Sequence, residues 1–183
     1  MKKAVIILAE GFEETEALVT VDILRRADVN VIIAGLGTDL VTGAHGITVK
    51  ADTVLEDNIP LPDAVILPGG MPGTKNLAAS HMVKNLILRM DAEGKLIAAI
   101  CAAPARVLAA AGVLDGKKAT CYPGEEEHFT TAVKYVEAPV VQDGNIITSR
   151  GPATAFDFGY TIAVNLAGIA RASSVTKGML YAK

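Results

Sequence analysis

The chain has 183 residues, of which 51% are hydrophobic and 20% charged, with a formal net charge of −3. This length suits a single domain over residues 1–183, and no apolar run reaches the roughly 18 to 20 residues that a membrane-spanning helix needs. The 17 basic residues are scattered singly, without the basic patch that binds nucleic acid or anionic membranes. We therefore expect a soluble protein with no nucleic-acid partner and no membrane partner.

The amino-terminal stretch begins like a signal peptide and then departs from that pattern. Its apolar run stops before Glu10, and acidic residues follow where a cleavage site would stand. We interpret residues 2–8 as the first buried strand of a cytoplasmic protein. The two cysteines, Cys101 and Cys121, have neither CxxC nor Cys/His spacing, which argues against a disulfide scaffold or structural zinc, and we expect no metal and no cofactor.

Strand-like and helix-like segments alternate along the chain. Continuous apolar runs without alternation, joined by helices, imply a mostly parallel sheet with right-handed connections and helices on both faces, so the predicted fold class is α/β. In order, the pattern predicts a strand at 2–8, a helix at 14–27, a strand at 29–34, an antiparallel pair at 40–42 and 47–49, a strand at 63–67, a helix at 81–92, a strand at 96–100, a helix from Pro104 to Gly112, a strand at 117–120, a hairpin at 140–148, and helices at 153–167 and 173–179.

Cys101 stands where a buried strand stops and a helix begins. A nucleophile elbow has this architecture, in which the side chain rises above the carboxyl edge of the sheet towards free N–H groups and a helix dipole. Both effects favour the thiolate, so a reactive cysteine is one interpretation. The other is that Cys101 is a small buried hydrophobic residue, which is the commoner role of cysteine.

Several polar residues and turns reach the same sheet edge, where ligands bind in open α/β folds. In the acidic turn, Glu13 and Glu14 suit the first turn of a helix, whose dipole they complement, while Glu16 falls on the inward face of that helix. A carboxyl there would have a raised pKa and could hydrogen-bond the thiol. The remaining candidates are Gly69 and Gly70, the Ala102 amide, Tyr122, Arg150 and Pro152.

The histidines disfavour a cysteine protease or amidotransferase, which needs an imidazole paired to the sulfur. Ala102 directly follows Cys101, and the sequence has no histidine after His128. His45 and His81 are interpreted as surface residues, and His128 is a weak candidate for a base.

Four motifs together resemble the DJ-1/PfpI superfamily, and within it the DJ-1 (ThiJ, YajL-like) branch. They are Ala-Glu-Gly-Phe-Glu13-Glu14-Thr-Glu16, Leu-Pro68-Gly69-Gly70, Ala-Ile-Cys101-Ala-Ala-Pro104 and Thr-Ser-Arg150-Gly151-Pro152. The resemblance implies a flavodoxin-like sandwich and a homodimer. It also implies a reactive Cys101 bonded to a protonated Glu16, with an oxyanion pocket from the Gly70 and Ala102 amides.

The resemblance further implies glutathione-independent glyoxalase or protein deglycase activity on small α-oxoaldehydes and glycated proteins. A redox-sensing chaperone in which Cys101 is an oxidisable switch is the alternative, and Ala102 disfavours peptidase activity. Two positions depart from better-known relatives, since Tyr122 replaces a pocket histidine and His45 a loop arginine that crosses the dimer. Arg26 matches an arginine of the family's dimer interface. The high hydrophobic fraction also leads us to expect a dimer seam on the first predicted helix, at its apolar residues Ala17, Leu18, Val21 and Leu24.

Overall fold

The computed structural model describes residues 1–181, which form a seven-stranded sheet between two layers of helices. In chain order the elements are β1 (Lys3–Leu8), α1 (Glu14–Arg26), β2 (Asn30–Gly35), β3 (Leu40–Thr42), β4 (Thr48–Lys50), β5 (Thr53–Val54), β6 (Ala64–Leu67), α2 (Gly73–Ala79), α3 (His81–Ala92), β7 (Leu96–Ile100), a π-helical turn (Pro104–Leu108) that continues as α4 (Ala109–Ala111), β8 (Lys118–Ala119), a 3-10 turn (Glu125–His128), β9 (Lys134–Tyr135), β10 (Val140–Asp143), β11 (Ile146–Ser149), a 3-10 turn (Pro152–Thr154), α5 (Ala155–Ala167) and α6 (Ile169–Gly178).

The main sheet has the strand order β10-β11-β7-β6-β1-β2-β5. Neighbouring strands are parallel except at one edge, where β10 and β11 form an antiparallel hairpin. The carboxyl ends of β1, β6, β7 and β11 therefore meet at one edge of the sheet. This is the mostly parallel α/β sandwich that the sequence predicts.

Alternate residues of each central strand enter different cores. In β1, Ala4, Ile6 and Leu8 belong to the core that α1, α5 and α6 cover, whereas Val5 and Ile7 belong to the core under α2, α3 and the helix after β7. Because both faces are covered, the strands read as continuous apolar runs. No helix among residues 1–181 is long and apolar enough to cross a membrane.

Some predicted elements are corrected by the structure. The strand expected at 117–120 shrinks to β8, which lies outside the main sheet and pairs with β9. The helix expected at 173–179 begins at Ile169, and α2 precedes the predicted α3. Of the four apolar residues of α1 expected at a dimer seam, Ala17, Val21 and Leu24 are buried because α1 packs against α5. The fourth, Leu18, stays exposed.

Candidate active site

Cys101 occupies a strained backbone position directly after β7. Its φ of 65° lies in the left-handed region, which costs a residue with a side chain about 1 to 2 kcal/mol. Two backbone hydrogen bonds hold it there, from Cys101 N–H to the Ser149 carbonyl (3.0 Å) and from Tyr122 N–H to the Cys101 carbonyl (2.9 Å). The resulting elbow leaves the Cys101 side chain partly exposed above the sheet edge.

Glu16 projects from the first turn of α1 into the same place and is fully buried. Its Oε2 accepts the Gly69 N–H at 2.7 Å, its carboxyl is hydrogen-bonded to the Cys101 thiol, and its buried Oε1 has no hydrogen-bond partner among the described residues. Burial raises the pKa of Glu16 to about 7, against the hydrogen bonds from Gly69 and Cys101, which lower it. Near neutral pH this carboxyl can therefore hold or release a proton beside the sulfur.

The thiol itself differs from the expectation based on the helix dipole alone. Burial and the neighbouring charge of Glu16 raise the pKa of Cys101, while hydrogen bonds from the Ala102 and Gly70 amides lower it. The expected preference for thiolate is thus wrong when Glu16 is ionised, because a buried site resists two negative charges. A thiolate forms most easily when the proton resides on Glu16.

The Gly69–Gly70 loop can reach the sulfur because these residues lack side chains. A Cβ on Gly69 would lie 2.5 Å from the Cys101 Cβ and 2.8 Å from Glu16 Oε2, and a Cβ on Gly70 would lie 2.5 Å from the Gly11 carbonyl oxygen. Gly70 also has a φ of 90°, which favours glycine. The amides of Gly70 and Ala102 both lie beside the sulfur and lower the pKa of Cys101, so two backbone donors are available next to the thiol.

Three further candidates from the sequence have contacts or exposed positions outside the Cys101–Glu16 pair, namely Tyr122, Arg150 and Pro152. Tyr122 is half exposed, and its ring lies near Gly151, where a Cβ would be 3.3 Å from Tyr122 Cδ2. The Arg150 guanidinium is paired with Glu137 at 2.9 Å. Pro152 is exposed and begins a 3-10 turn.

Arg26 does not join the cluster within this subunit. It ends α1, whereas Glu16 lies near the start, and its side chain pairs with Asp22 on the same helix at 2.9 Å. At about 1.5 Å per residue, the ten-residue separation places them roughly 15 Å apart along the helix. Within one subunit Arg26 therefore lies away from the Cys101–Glu16 pair, and its place at a dimer seam or pocket rim stays a prediction.

Glu13, Glu14 and His45 form a second polar cluster beside the first. Glu14 is buried rather than exposed at the helix end, and its Oε2 lies 2.9 Å from His45 Nδ1, with Glu13 Oε2 at 3.4 Å from the same nitrogen. One ligand atom from each residue lies within 4.8 Å of the others, so these are the residues that could hold a metal ion. Glu14 already accepts N–H groups of the β3–β4 hairpin, so protein donors satisfy its carboxyl.

Sequence reasoning missed two contributors to the site. The Ser149 carbonyl, on β11, accepts the N–H of Cys101, and the Glu14 carboxylate accepts the N–H of His45 in the β3–β4 hairpin. Both contacts join residues more than 30 positions apart, so local pattern carries no signal for them. The helix after Cys101 also begins as a π-helical turn, a feature frequent at functional sites.

Comparison with known proteins assigns this site to a family. The chain is 43% identical to the protein dj-1beta of Drosophila melanogaster, over 99% of this chain and 98% of the relative. It is 37% identical to a glutathione-independent glyoxalase of Caenorhabditis elegans, over 100% and 98%. The crystal structure of a mutant of a DJ-1 superfamily protein from Salmonella typhimurium superposes with a TM-score of 0.96, at 41% identity and full coverage of both chains. Residues 2–165 match the sequence profile of the DJ-1/PfpI family, and the chain belongs to that family.

Proposed function

We propose that this protein is a thiol enzyme without a cofactor that converts small α-oxoaldehydes, and their early adducts on proteins, to hydroxy acids without glutathione. One observation carries the proposal, namely that the partly exposed thiol of Cys101 lies beside the buried carboxyl of Glu16 and two backbone N–H groups. Such a pair combines a nucleophile, a group that moves protons near neutral pH, and donors for an oxyanion. The Caenorhabditis elegans relative, named as a glutathione-independent glyoxalase, supports the same reaction.

In the first step, the Cys101 sulfur attacks the aldehyde carbon. A carbon–sulfur bond forms while the thiol proton passes to Glu16, and the carbonyl oxygen takes up negative charge. The Gly70 and Ala102 N–H groups stabilise that charge, after which Glu16 returns the proton to the oxygen and a hemithioacetal results.

In the second step, Glu16 removes the proton from the former aldehyde carbon and returns a proton to the neighbouring ketone carbon. The hydroxyl proton of the first carbon passes to the oxygen of the second. The first carbon is thereby oxidised to a thioester and the second is reduced to an alcohol, so no external oxidant is needed. Water then hydrolyses the thioester, which breaks the carbon–sulfur bond and releases the hydroxy acid and the free thiol. Tyr122, Glu13, Arg150 and Pro152 are proposed to bound the space where the substrate binds.

The test is lactate formation from methylglyoxal in the absence of glutathione. We expect turnover by the wild type, none by Cys101→Ala, almost none by Cys101→Ser, and a wild-type rate from the matched control Cys121→Ala, because Cys121 is fully buried on another segment. More than a few per cent of the wild-type rate in Cys101→Ala would contradict the mechanism.

A second candidate function, redox sensing with chaperone activity, draws on the same thiol. Cys101 is partly exposed, and one relative, DJ-1 of Toxoplasma gondii, has been solved in an oxidised form. In this alternative the oxidation of Cys101, rather than turnover, is the functional event. Lactate production separates the two. For the cell, we propose a cytoplasmic homodimer built from a single domain.

A further inference from the structure

We propose that Glu14 is a positioning residue for the thiol, and that it acts by docking the β3–β4 hairpin against the segment that supports Gly70. This inference deepens the proposed function and rests on it for the importance of the Gly70 amide. The experiment measures the pKa of Cys101 and not lactate formation. A failure of this inference can therefore be distinguished from a failure of the proposed function.

The first link runs from Glu14 to the hairpin. Glu14 Oε1 accepts the backbone N–H groups of His45 at 2.8 Å and Ile47 at 3.4 Å, and Oε2 bonds His45 Nδ1 at 2.9 Å. Burial opposes ionisation, but these bonds hold the pKa of Glu14 below its usual range. Gly43 leaves room for this carboxylate, since a Cβ there would overlap it. The hairpin is thus built around a buried charge.

The second link runs from the hairpin to the chain between β1 and α1. Gly11 N–H donates to the Thr42 carbonyl and Ala44 N–H to the Phe12 carbonyl, each at 2.8 Å. Thr42 N–H donates to Glu10 Oε2 at 3.0 Å. Residues 10–12 are therefore fastened along the hairpin that Glu14 holds.

The third link runs from that segment to the sulfur. Gly70 packs against it so tightly that a Cβ on Gly70 would lie 2.5 Å from the Gly11 carbonyl oxygen and 2.6 Å from the Phe12 carbonyl carbon. Glu13 N–H donates to the Gly69 carbonyl at 2.9 Å. The Gly69–Gly70 turn in turn lies against the sulfur, since a Cβ on Gly69 would be 2.9 Å from Cys101 Sγ, and the Gly70 amide lowers the thiol pKa. A shift of residues 11–12 therefore moves that amide relative to the thiol.

Two variants weaken the contact between Glu14 and the β3–β4 hairpin by different means. Glu14→Gln removes the carboxylate that accepts the hairpin N–H groups, and Gly43→Ala keeps that charge but pushes the hairpin off it. The matched control is Asp63→Asn at the opposite edge of the sheet, where Asp63 likewise accepts a backbone N–H, from Lys3 at 2.8 Å, and pairs with Lys2 at 3.0 Å. The readout is the pKa of Cys101, from the pH dependence of alkylation by iodoacetamide, in a Cys121→Ala background.

We expect both variants to raise the pKa of Cys101 by about half to one unit, because a lost amide hydrogen bond disfavours the thiolate. A rise in the Cys101 pKa distinguishes the lost hydrogen bond from a simple charge effect, since the loss of the Glu14 charge alone would lower that pKa. Asp63→Asn should leave it unchanged. If Glu14→Gln does not fold, Gly43→Ala decides alone.

A pKa that stays constant or falls in either folded variant, or that rises equally in Asp63→Asn, would overturn the inference. If the expected pattern is found while the wild type makes no lactate, the positioning role stands and the proposed function fails. If lactate forms while the pKa pattern is absent, the proposed function stands and Glu14 has no such role.

Discussion

The buried carboxyl of Glu16 ties folding stability to pH. Burial raises its pKa to about 7 in the folded protein, so the unfolded chain gives up this proton at a lower pH than the folded chain does. The unfolded state then binds fewer protons, and the free energy of unfolding falls as pH rises from the usual glutamate range to about 7. Across that window the loss is on the order of 3 kcal/mol.

Glu16→Gln should abolish this loss, because the amide does not titrate. We expect urea unfolding to show wild-type protein less stable at about pH 8 than at about pH 5, with a much smaller difference in the variant. Glu127→Gln is the control, since the Glu127 side chain is 74% exposed. An unchanged pH dependence in Glu16→Gln would mean that Glu16 is not the titrating group.

Oxidation by peroxide should stop at the sulfinate on Cys101. Cys121 is fully buried on a separate segment and cannot easily approach to form a disulfide, while the Gly70 and Ala102 amides and protonated Glu16 can donate to sulfinate oxygens. We expect peptide mass spectrometry after graded peroxide to show a gain of two oxygens on Cys101. Glu16→Gln should retain this product, because it keeps a donor, and Glu16→Leu should reduce it.

The main product decides that prediction. A Cys101–Cys121 disulfide, or two oxygens mapped to Cys121, would show that the reactive thiol or its surroundings are misassigned. Equal sulfinate yields in Glu16→Leu and the wild type would show that Glu16 does not stabilise the oxidised residue.

The helical segment after the elbow is braced by one ion pair. Arg106, on the π-helical turn, donates from Nε and Nη2 to the two carboxylate oxygens of Glu125, on the following 3-10 turn. Both side chains are mostly buried, at 27% and 18% exposure, so a lone guanidinium left there would be poorly solvated. We expect Glu125→Gln to lower the free energy of unfolding by about 1 to 2 kcal/mol.

Glu127→Gln on the same turn is the matched comparison. Its exposed carboxylate should contribute less than about 0.5 kcal/mol. Denaturant midpoints measured side by side test the difference. Equal effects of the two substitutions would imply that the Arg106–Glu125 pair adds nothing beyond surface charge.

Elements with a continuous apolar run or a helical period were predictable, and very short ones were not. The continuous apolar runs of β1, β2, β6 and β7 and the capped helix α3 match the sequence prediction, with Ser80 Oγ accepting the Val83 N–H at 3.4 Å. The two-residue strands β5 and β9 and the seven-residue helix α2 are too short to show a period. Whether β8 joins the main sheet depends on distant partners.

The candidate site divides in the same way. Cys101, Glu16 and the two glycines could be predicted as neighbours. The strands before them end at one edge of the sheet, and Glu16 lies on the inward face of its helix. The rise in the pKa of the Cys101 thiol was missed because the argument from the helix dipole leaves out burial. The partners of Arg150 and Glu14 lie on other segments, so nothing local indicates them.

For the whole molecule, we expect a homodimer whose seam keeps Leu18 of the first expectation but not the three buried residues of α1. Since Ala17, Val21 and Leu24 are used in the core, the apolar surface left near the start of α1 is Leu18 (37% exposed) and Ile47 (54% exposed). Light scattering should give twice 19.0 kDa at micromolar concentration. Leu18→Lys with Ile47→Lys should weaken the dimer, because buried lysines at a seam lose their hydration.

Leu88→Lys is the control for that prediction. Leu88 is 43% exposed on α3, across the sheet from α1, so its charge should leave the oligomeric state unchanged. A wild-type mass near that of one chain would remove the homodimer and any cross-subunit role for Arg26 or His45.

The backbone bonds that hold Cys101 also imply an order of assembly. One comes from Tyr122 and the other from Ser149, which follows the cysteine by about 50 residues and lies on a strand that pairs with β7. During synthesis, a chain that has reached only α4 therefore lacks what bends its cysteine into the left-handed conformation. The thiol of a nascent or truncated chain should behave as an ordinary cysteine. Turnover, and not the reactivity of the thiol alone, then becomes a marker of completed folding, acquired only once β11 is in place.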